Sequence, residues 1–430
     1  MPASLGPPTL LLRVYALASR AIAPLAMRRV QRKLTAHGTS KARIAERMGH
    51  ASMPRPAGDL LWFHAASVGE SLSILRLIAH LGETHPALNF LITSGTATSA
   101  SILAQRMPPR CLHQFAPLDA PAAVTRFLDH WQPSAGVFVE SELWPNILRV
   151  AARRGIPLAL LNARISDRSA RGWARIGGTA RHLLGHFAMV HCQDARTADH
   201  LRRLGCDCAA EGANLKAMAG PVPYDAAAVA QLNAQIGGRP VWAMASTHPG
   251  EEDVAITAHV SLLEAQPEAL LILIPRHPER AEGIAAMLDK ANLRHARRST
   301  GGEVDPSTQV YLADTLGEMG LWYALAPIVC VGGSFVPVGG HNPYEVAHGG
   351  AAVLHGPLYA NFAAAYAQID ASGAARQVED AAALADALLE LNAAPDMLAI
   401  MQSRASQFAA AQDDQLEDLA STLCAALRLG

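Results

Sequence analysis

Two apolar runs in this chain end in carboxylates. The first leads into His64-Ala65-Ala66-Ser67-Val68-Gly69-Glu70, the second into Phe138-Val139-Glu140-Ser141-Glu142-Leu143-Trp144-Pro145-Asn146. An acid at a strand end can take a proton from an attacking hydroxyl, and Glu70 is the candidate general base. The plainer reading is a first-turn residue that complements a helix dipole. Glu140 and Glu142, two apart, are close enough to shift each other's ionisation, as in acid and base work, or to cap a helix and pair with nearby arginines. Arg164, Arg168, Arg171, Arg175 and Arg181 crowd the next stretch; their spacing suits either phosphate recognition or a solvated basic face.

The second half carries four more loops. Gly332-Gly333-Ser334-Phe335-Val336-Pro337-Val338-Gly339-Gly340-His341-Asn342-Pro343-Tyr344-Glu345 lies between an apolar run and a helix-like segment. Backbone N–H groups of such a loop suit a phosphate, and Glu345 suits ribose hydroxyls; a tight strand-to-helix connection is the alternative. In Ala245-Ser246-Thr247-His248-Pro249-Gly250-Glu251-Glu252, Ser246 or Thr247 is expected to cap a helix with Pro249 in its first turn, and His248 to face a phosphate. Ile274-Pro275-Arg276-His277-Pro278-Glu279-Arg280 places cations at the next strand end, and Asp314-Thr315-Leu316-Gly317-Glu318-Met319-Gly320 offers backbone groups to a base.

The elements that must position these loops alternate. Leu60 to Phe63, Phe90 to Thr93, Ala135 to Val139 and Pro157 to Leu161 are predicted strands; between them Ser71 to Leu81, Thr96 to Arg106 and Ala122 to Trp131 are predicted helices. Val241 to Ala245, Ala269 to Pro275, Gln309 to Leu312, Ile328 to Val331 and Ala352 to Leu354 repeat the pattern. Strands alternating with helices imply right-handed crossovers and parallel sheets, with ligands at the carboxyl ends of the strands. The chain of 430 residues is long for one core, and Gly212 to Tyr224 with the helix-like Asp225 to Ile236 reads as the passage between two domains. The expected division is 1–49, an N-terminal segment, 50–225 and 226–430, with helices at the end.

A formal net charge of −1 argues against nucleic acid as a partner. The charge is uneven: residues 1–49 hold Arg13, Arg20, Arg28, Arg29, Arg32, Lys33, Lys41, Arg43 and Arg47 against Glu46, roughly +8. With Leu10, Leu11, Leu12, Tyr15, Ala16 and Ile22 among them, this reads as an interfacial helix on anionic lipid, or as an amphipathic helix packed on its own domain. The arginines inside the apolar run disfavour a span, each costing roughly 3 kcal/mol near a bilayer centre. The six cysteines show no paired ligand spacing and read as reduced thiols, Cys206 and Cys208 included. No Asp-x-Asp pair offers a clear magnesium site, so neither metal nor cofactor is expected.

Taken together, the motifs resemble those of the Kdo transferases, which attach 3-deoxy-D-manno-octulosonic acid (Kdo) to a lipid A precursor. The resemblance spans nearly the whole chain: the basic apolar N terminus, His64 to Glu70, Glu140 to Asn146, Asn162 to Ser166, Ser246 to Glu252, Pro275 to Arg280, Asp314 to Gly320 and Gly332 to Glu345. It implies an α/β fold of the GT-B type, two Rossmann-like doubly wound domains facing a central cleft. It also implies CMP-Kdo as donor, bound by the C-terminal domain, and lipid IVA, a tetraacylated, bisphosphorylated glucosamine disaccharide, as acceptor, bound by the N-terminal one. The setting would be the cytoplasmic face of the bacterial inner membrane, in lipopolysaccharide biosynthesis.

By that resemblance Glu70 is the proton acceptor of an inverting single displacement, and Glu140 and Lys216 stabilise the transition state. Arg276, His277, Gly317, Glu318, Met319, Asn342, Pro343, Tyr344 and Glu345 match the CMP-binding loops. The run Ala213-Asn214-Leu215-Lys216-Ala217-Met218 lacks the aromatic and the Asp that commonly follow the family's lysine. Competing readings are another sugar-nucleotide enzyme of this architecture, such as a nonhydrolysing epimerase, and a silent membrane adaptor that keeps the fold. An NAD oxidoreductase is disfavoured, because no GxGxxG follows the first strand.

Overall fold

The computed structural model describes residues 6–212, 214, 215, 218 and 220–429. Contacts divide the chain into two units, residues up to 219 with those from 414 onward, and residues 220–413. In the first unit β1 (Leu60–His64), β2 (Asn89–Ser94), β3 (Cys111–Phe115), β4 (Ala135–Val139), β5 (Leu158–Ala163), β6 (Phe187–Cys192) and β7 (Ala209–Glu211) pair in parallel. Their order is β3-β2-β1-β4-β5-β6-β7, so the winding reverses between β1 and β4. The sheet is covered on both sides, which is why its central strands read as unbroken apolar runs. Leu61 and Phe63 pack with Ile78 and Leu81 on one face, while Trp62 packs with Phe127 and Phe138 on the other.

The second unit repeats the plan with β8 (Val241–Thr247), β9 (Leu270–Pro275), β10 (His295–Arg297), β11 (Val310–Leu312), β12 (Ile328–Val331), β13 (Ala352–His355) and β14 (Ala375–Gln377). The order is β10-β11-β9-β8-β12-β13-β14, and this winding reverses between β8 and β12.

Five strands were not expected from the sequence. β3 is masked by His113 and Gln114, which are buried at its centre because Ser94 and the Trp131 indole bond them. β7, β10 and β14 are three-residue strands at sheet edges, and β6 interrupts its apolar residues with an exposed Ala188. Such short edges limit the backbone open to unwanted pairing. The domain boundary is also corrected at the end of the chain, which the sequence reading kept in the second domain. In the helix Pro395–Leu427, Leu416, Leu419, Leu423 and Leu427 recur at helical spacing and join the core cluster of Leu77, Ile78 and Leu81 in the first unit.

The N-terminal helix Leu10–Ala36 is docked on the first unit. Its buried Leu12, Ala23 and Leu34 face inward, and the Tyr15 hydroxyl donates to Asp119 at 2.9 Å. Asn146 donates to Ser19 Oγ at 3.0 Å, and Arg149 donates to the Leu12 carbonyl at 3.3 Å. The lipid-facing set expected from the sequence is therefore corrected. Leu12 and Tyr15 belong to the docked face, whereas Leu10, Leu11, Val14, Leu17, Ile22 and Leu25 are exposed. By length and composition this helix could cross a membrane, although little of it is buried.

Candidate active site

Each switch point collects the loops singled out in the sequence. In the first unit, β1 delivers His64 to Glu70 and β4 delivers Glu140 to Asn146. Ser67 caps the helix Val68–Ser73 by accepting from the Glu70 N–H, and Glu70 reaches back: Oε1 accepts from the Ser67 hydroxyl at 2.7 Å, Oε2 from the Ala66 N–H at 2.8 Å. This resembles a capping box, with the N–H of the residue before the cap bonded in place of the cap's own, and the acid is 9% exposed. Its contacts are those of the first-turn reading, placed in the loop region that follows β1. Burial pushes its carboxyl above the ordinary value against the pull of Ser67 and Ala66, and the negative charges of Glu140 and Glu142 raise it further.

Glu142 is held the other way. Burial would raise it, but His64 and the Trp144 N–H bring it below the ordinary carboxyl value. The Thr93 hydroxyl accepts from the Trp62 indole at 2.8 Å and donates to the Phe63 carbonyl at 3.2 Å. His64 Nδ1, 3.0 Å from that hydroxyl, is left to donate, and Nε2 faces Glu142 Oε2 at 3.5 Å. Glu70 and Glu142, one raised and one lowered, therefore share this end of the sheet with Glu140, an arrangement suited to proton transfer.

Glu140 has φ +60°, and Asn162 (φ +56°) and Ser246 (φ +62°) share this left-handed region. Asn162 and Ser246 coincide with register shifts in β5–β6 and β8–β9, where a bulge re-aims the neighbouring side chains. Asn162, fully buried, accepts from the Leu215 N–H at 3.2 Å and so anchors the residue before Lys216. Lys216 itself lies outside the described residues. Asn146 plays a packing role, since it donates to Ser19 and to the Asp119 carbonyl. Arg164, Arg168, Arg171, Arg175 and Arg181 are all exposed, as a solvated basic face would be.

In the second unit the switch point brings together Thr247 and His248 from β8 and the glycine loop from β12, with Arg276 and His277 following neighbouring β9. Here three of the loop amides expected to meet a phosphate are already taken. Glu251, fully buried, fills them: Oε2 accepts from His248 N–H at 2.9 Å and Gly333 N–H at 2.7 Å, Oε1 from Ser334 and Phe335 N–H at 3.0 Å each. The chain supplies its own anion. Gly332 is required by close approach, because a Cβ there would lie 2.8 Å from the Ala245 and Ser246 carbonyl oxygens.

Glu252, also buried, takes a bidentate pair from Arg280 at 2.7 and 2.8 Å and the Thr247 hydroxyl at 2.6 Å. Arg280 is thereby committed to structure, and Gly250 rather than Ser246 or Thr247 holds the N-cap of the helix Glu251–Ala265, with Pro249 before it. What remains for a ligand is exposed Arg276 and His277 beside His248 and His341, whose Nε2 atoms are 2.9 Å apart.

The other expected donor residues divide between ligand and scaffold. Gly317 turns at φ +87°, Glu318 pairs with Arg298 and Thr315, and Met319 starts the helix Met319–Leu325 and packs partly into the core. Asn342 accepts from the Tyr344 N–H and donates to Glu345 Oε1 at 3.3 Å, while Pro343 is buried. Tyr344 turns inward, stacked on Phe408 at a 5.4 Å centroid distance, so its ring is scaffold. The roles of Glu251 and His341 were missed because neither an acid after a strand nor a histidine among glycines announces its partner. The Glu-Glu pair after Gly250 was the available signal. Among the described residues no group of three His, Cys, Asp or Glu could hold a metal, and Cys206 and Cys208 lie thiol to thiol at 3.7 Å.

Two seven-stranded parallel units, each with ionisable loops at its switch point, define a fold of the GT-B type. A glycosyltransferase from Rickettsia africae shares the fold, with TM-score 0.60 and 11% identity over 87% of this chain and 100% of that one. Residues 42–218 match the family model of 3-deoxy-D-manno-octulosonic-acid transferase (kdotransferase). The 3-deoxy-D-manno-octulosonic acid transferase of Bordetella pertussis is 37% identical over 418 residues, covering 93% of this chain and 95% of the relative. That of Haemophilus influenzae is 35% identical over 316 residues, 71% and 72% of the two chains. The chain belongs to the Kdo transferase family.

Proposed function

We propose that this glycosyltransferase moves Kdo from CMP-Kdo to a lipid A precursor, lipid IVA, with inversion in a single displacement. The observation that carries the reading is Glu70, a buried carboxyl of raised proton affinity flanked by Glu140 and Glu142 where β1 and β4 part. Family membership supplies the sugar; the site supplies the chemistry. Glu70 takes the proton of an acceptor hydroxyl as its oxygen bonds to the anomeric carbon of Kdo. The bond from that carbon to the CMP phosphate oxygen breaks, and its electron pair leaves with CMP. Arg276 and His277 meet the phosphate charge, and Asn342 with Glu345 serves the nucleoside, a division supported by the exposure of Arg276 and His277 and by the partly buried, hydrogen-bonded pair of Asn342 and Glu345. Glu140 and Lys216 are assigned to the transition state by the family resemblance.

The decisive experiment supplies CMP-Kdo and lipid IVA and follows CMP release together with the mass of the lipid. Transfer is expected, with the lipid gaining Kdo. A folded protein that leaves both substrates intact, yet turns over a UDP sugar, would replace this reading with the alternative sugar-nucleotide enzyme.

The helix Leu10–Ala36 gives the proposed location, the cytoplasmic face of the inner membrane. Its exposed leucines suit lipid, and Arg13, Arg20, Arg28, Arg29 and Arg32 suit anionic headgroups. Replacing Leu11, Val14 and Leu17 with Ser should cut cosedimentation with phosphatidylglycerol vesicles about tenfold or more, because each buried apolar side chain contributes ~1.5–3 kcal/mol. Undiminished binding at moderate salt would remove this helix from the proposal.

A further inference from the structure

His248 and His341 meet at the switch point of the second sheet in a geometry that an ordinary packed pair does not need. Their rings are parallel to within 11°, with centroids 5.1 Å apart and Nε2 atoms at hydrogen-bond distance. Two imidazoles can bond in this way only if one Nε2 carries hydrogen and the other offers a lone pair. A proton added at Nδ1 of the donating ring would strengthen the same bond by charge. We infer that this pair is a proton acceptor coupled to nucleotide binding, taking up to one proton from solvent when the phosphate of CMP seats against Arg276 and His277.

The inference rests on the reading of this site as the CMP site. The groups facing the pair fix the sign. His248 looks toward Glu251, His277, Arg276 and Arg280; His341 looks toward His248, Arg276 and His277. Glu251 is the sole acid among them, and its oxygens are already shared among four backbone N–H groups. Burial first, and then His248, Arg276 and His277, hold His341 down at about 4; burial also lowers His248, against the pull of Glu251 and with the push of His277, Arg276 and Arg280. The empty site therefore keeps the pair neutral at pH 7.5. A phosphate reverses the local field and makes the imidazolium favourable, so binding draws in a proton. Among the described residues no three-ligand cluster forms here, which leaves the pair to protons rather than to a metal.

The test is calorimetry of CMP binding to the full chain at pH 7.5, in two buffers of different ionisation enthalpy. CMP is then nearly all dianion, its second phosphate pKa being about 6. Wild type should take up a measurable fraction of a proton, up to about one, per CMP. His341→Asn, which keeps a polar side chain but does not titrate, should bind CMP more weakly and with clearly less proton uptake than wild type, His277 being retained; His248→Asn should behave alike and serves if the first variant does not fold. Binding whose heat is independent of buffer would overturn the inference while leaving the donor site intact. Proton uptake undiminished in both variants would also overturn it. A wild type that binds no CMP would overturn the donor-site reading and this inference with it.

Discussion

Glu70→Gln is expected to lower the rate of Kdo transfer about 10²- to 10⁴-fold with little change in the KM for CMP-Kdo, because the substitution removes the carboxylate proposed as proton acceptor and leaves the second unit untouched. The amide can still accept from one of the two donors that hold Glu70, the Ala66 N–H and the Ser67 hydroxyl. Stability gives a second readout. The folded-state pKa of Glu70 is raised, so between the unfolded value and that raised value the folded protein binds more protons, and stability falls as pH rises through the window. Removing the charge should therefore not lower the unfolding midpoint at pH 7. Wild-type kcat/KM should fall as pH drops through the same raised pKa, a limb that Glu70→Gln lacks. A Glu70→Gln enzyme within threefold of wild type would end the assignment.

Glu251→Ala carries the second large effect. Four backbone N–H groups lose their acceptor at once, and each buried donor left unpaired costs about 1–3 kcal/mol. Hydrogen exchange at Gly333, Ser334 and Phe335 should accelerate at least about 100-fold. CMP affinity should fall about tenfold or more, because His341 rides on the freed loop. Glu251→Gln should fall between the two, since its NH₂ group cannot accept. Unchanged protection of these amides in Glu251→Ala would show that the loop is held by its own packing, through Gly332 and the Ser334 hydroxyl that donates to the Val331 carbonyl.

The fold was legible wherever burial on both faces made a strand uniformly apolar, as in Leu60 to Phe63 and Ala269 to Pro275. It was not legible in β3, where buried His113 and Gln114 are made tolerable by partners from other elements. The same limit applied to the site. Glu70, Glu140 and Glu142 announce themselves by following apolar runs, and the structure gathers them at one switch point. The glycine loop misled, because its pattern shows available amides but cannot show that a buried glutamate from another strand end consumes them. Tyr15 and Leu12 misled for a similar reason: an apolar helix of this kind has two faces, and only the positions of Asp119 and the core decide which one is docked.

The clamp on the N-terminal helix has a mechanical consequence. The Asp119 carboxylate that accepts from Tyr15 also accepts from the Asn146 and Ile147 N–H groups, at 3.1 and 2.8 Å, and so fixes the first turn of the helix that follows Glu140 and Glu142. Anchor and carboxylate loop are thus springs in series, joined at one residue. A load that tilts the helix is delivered within a few residues of Glu140 and Glu142, and softening that joint would uncouple the carboxylate loop from the helix.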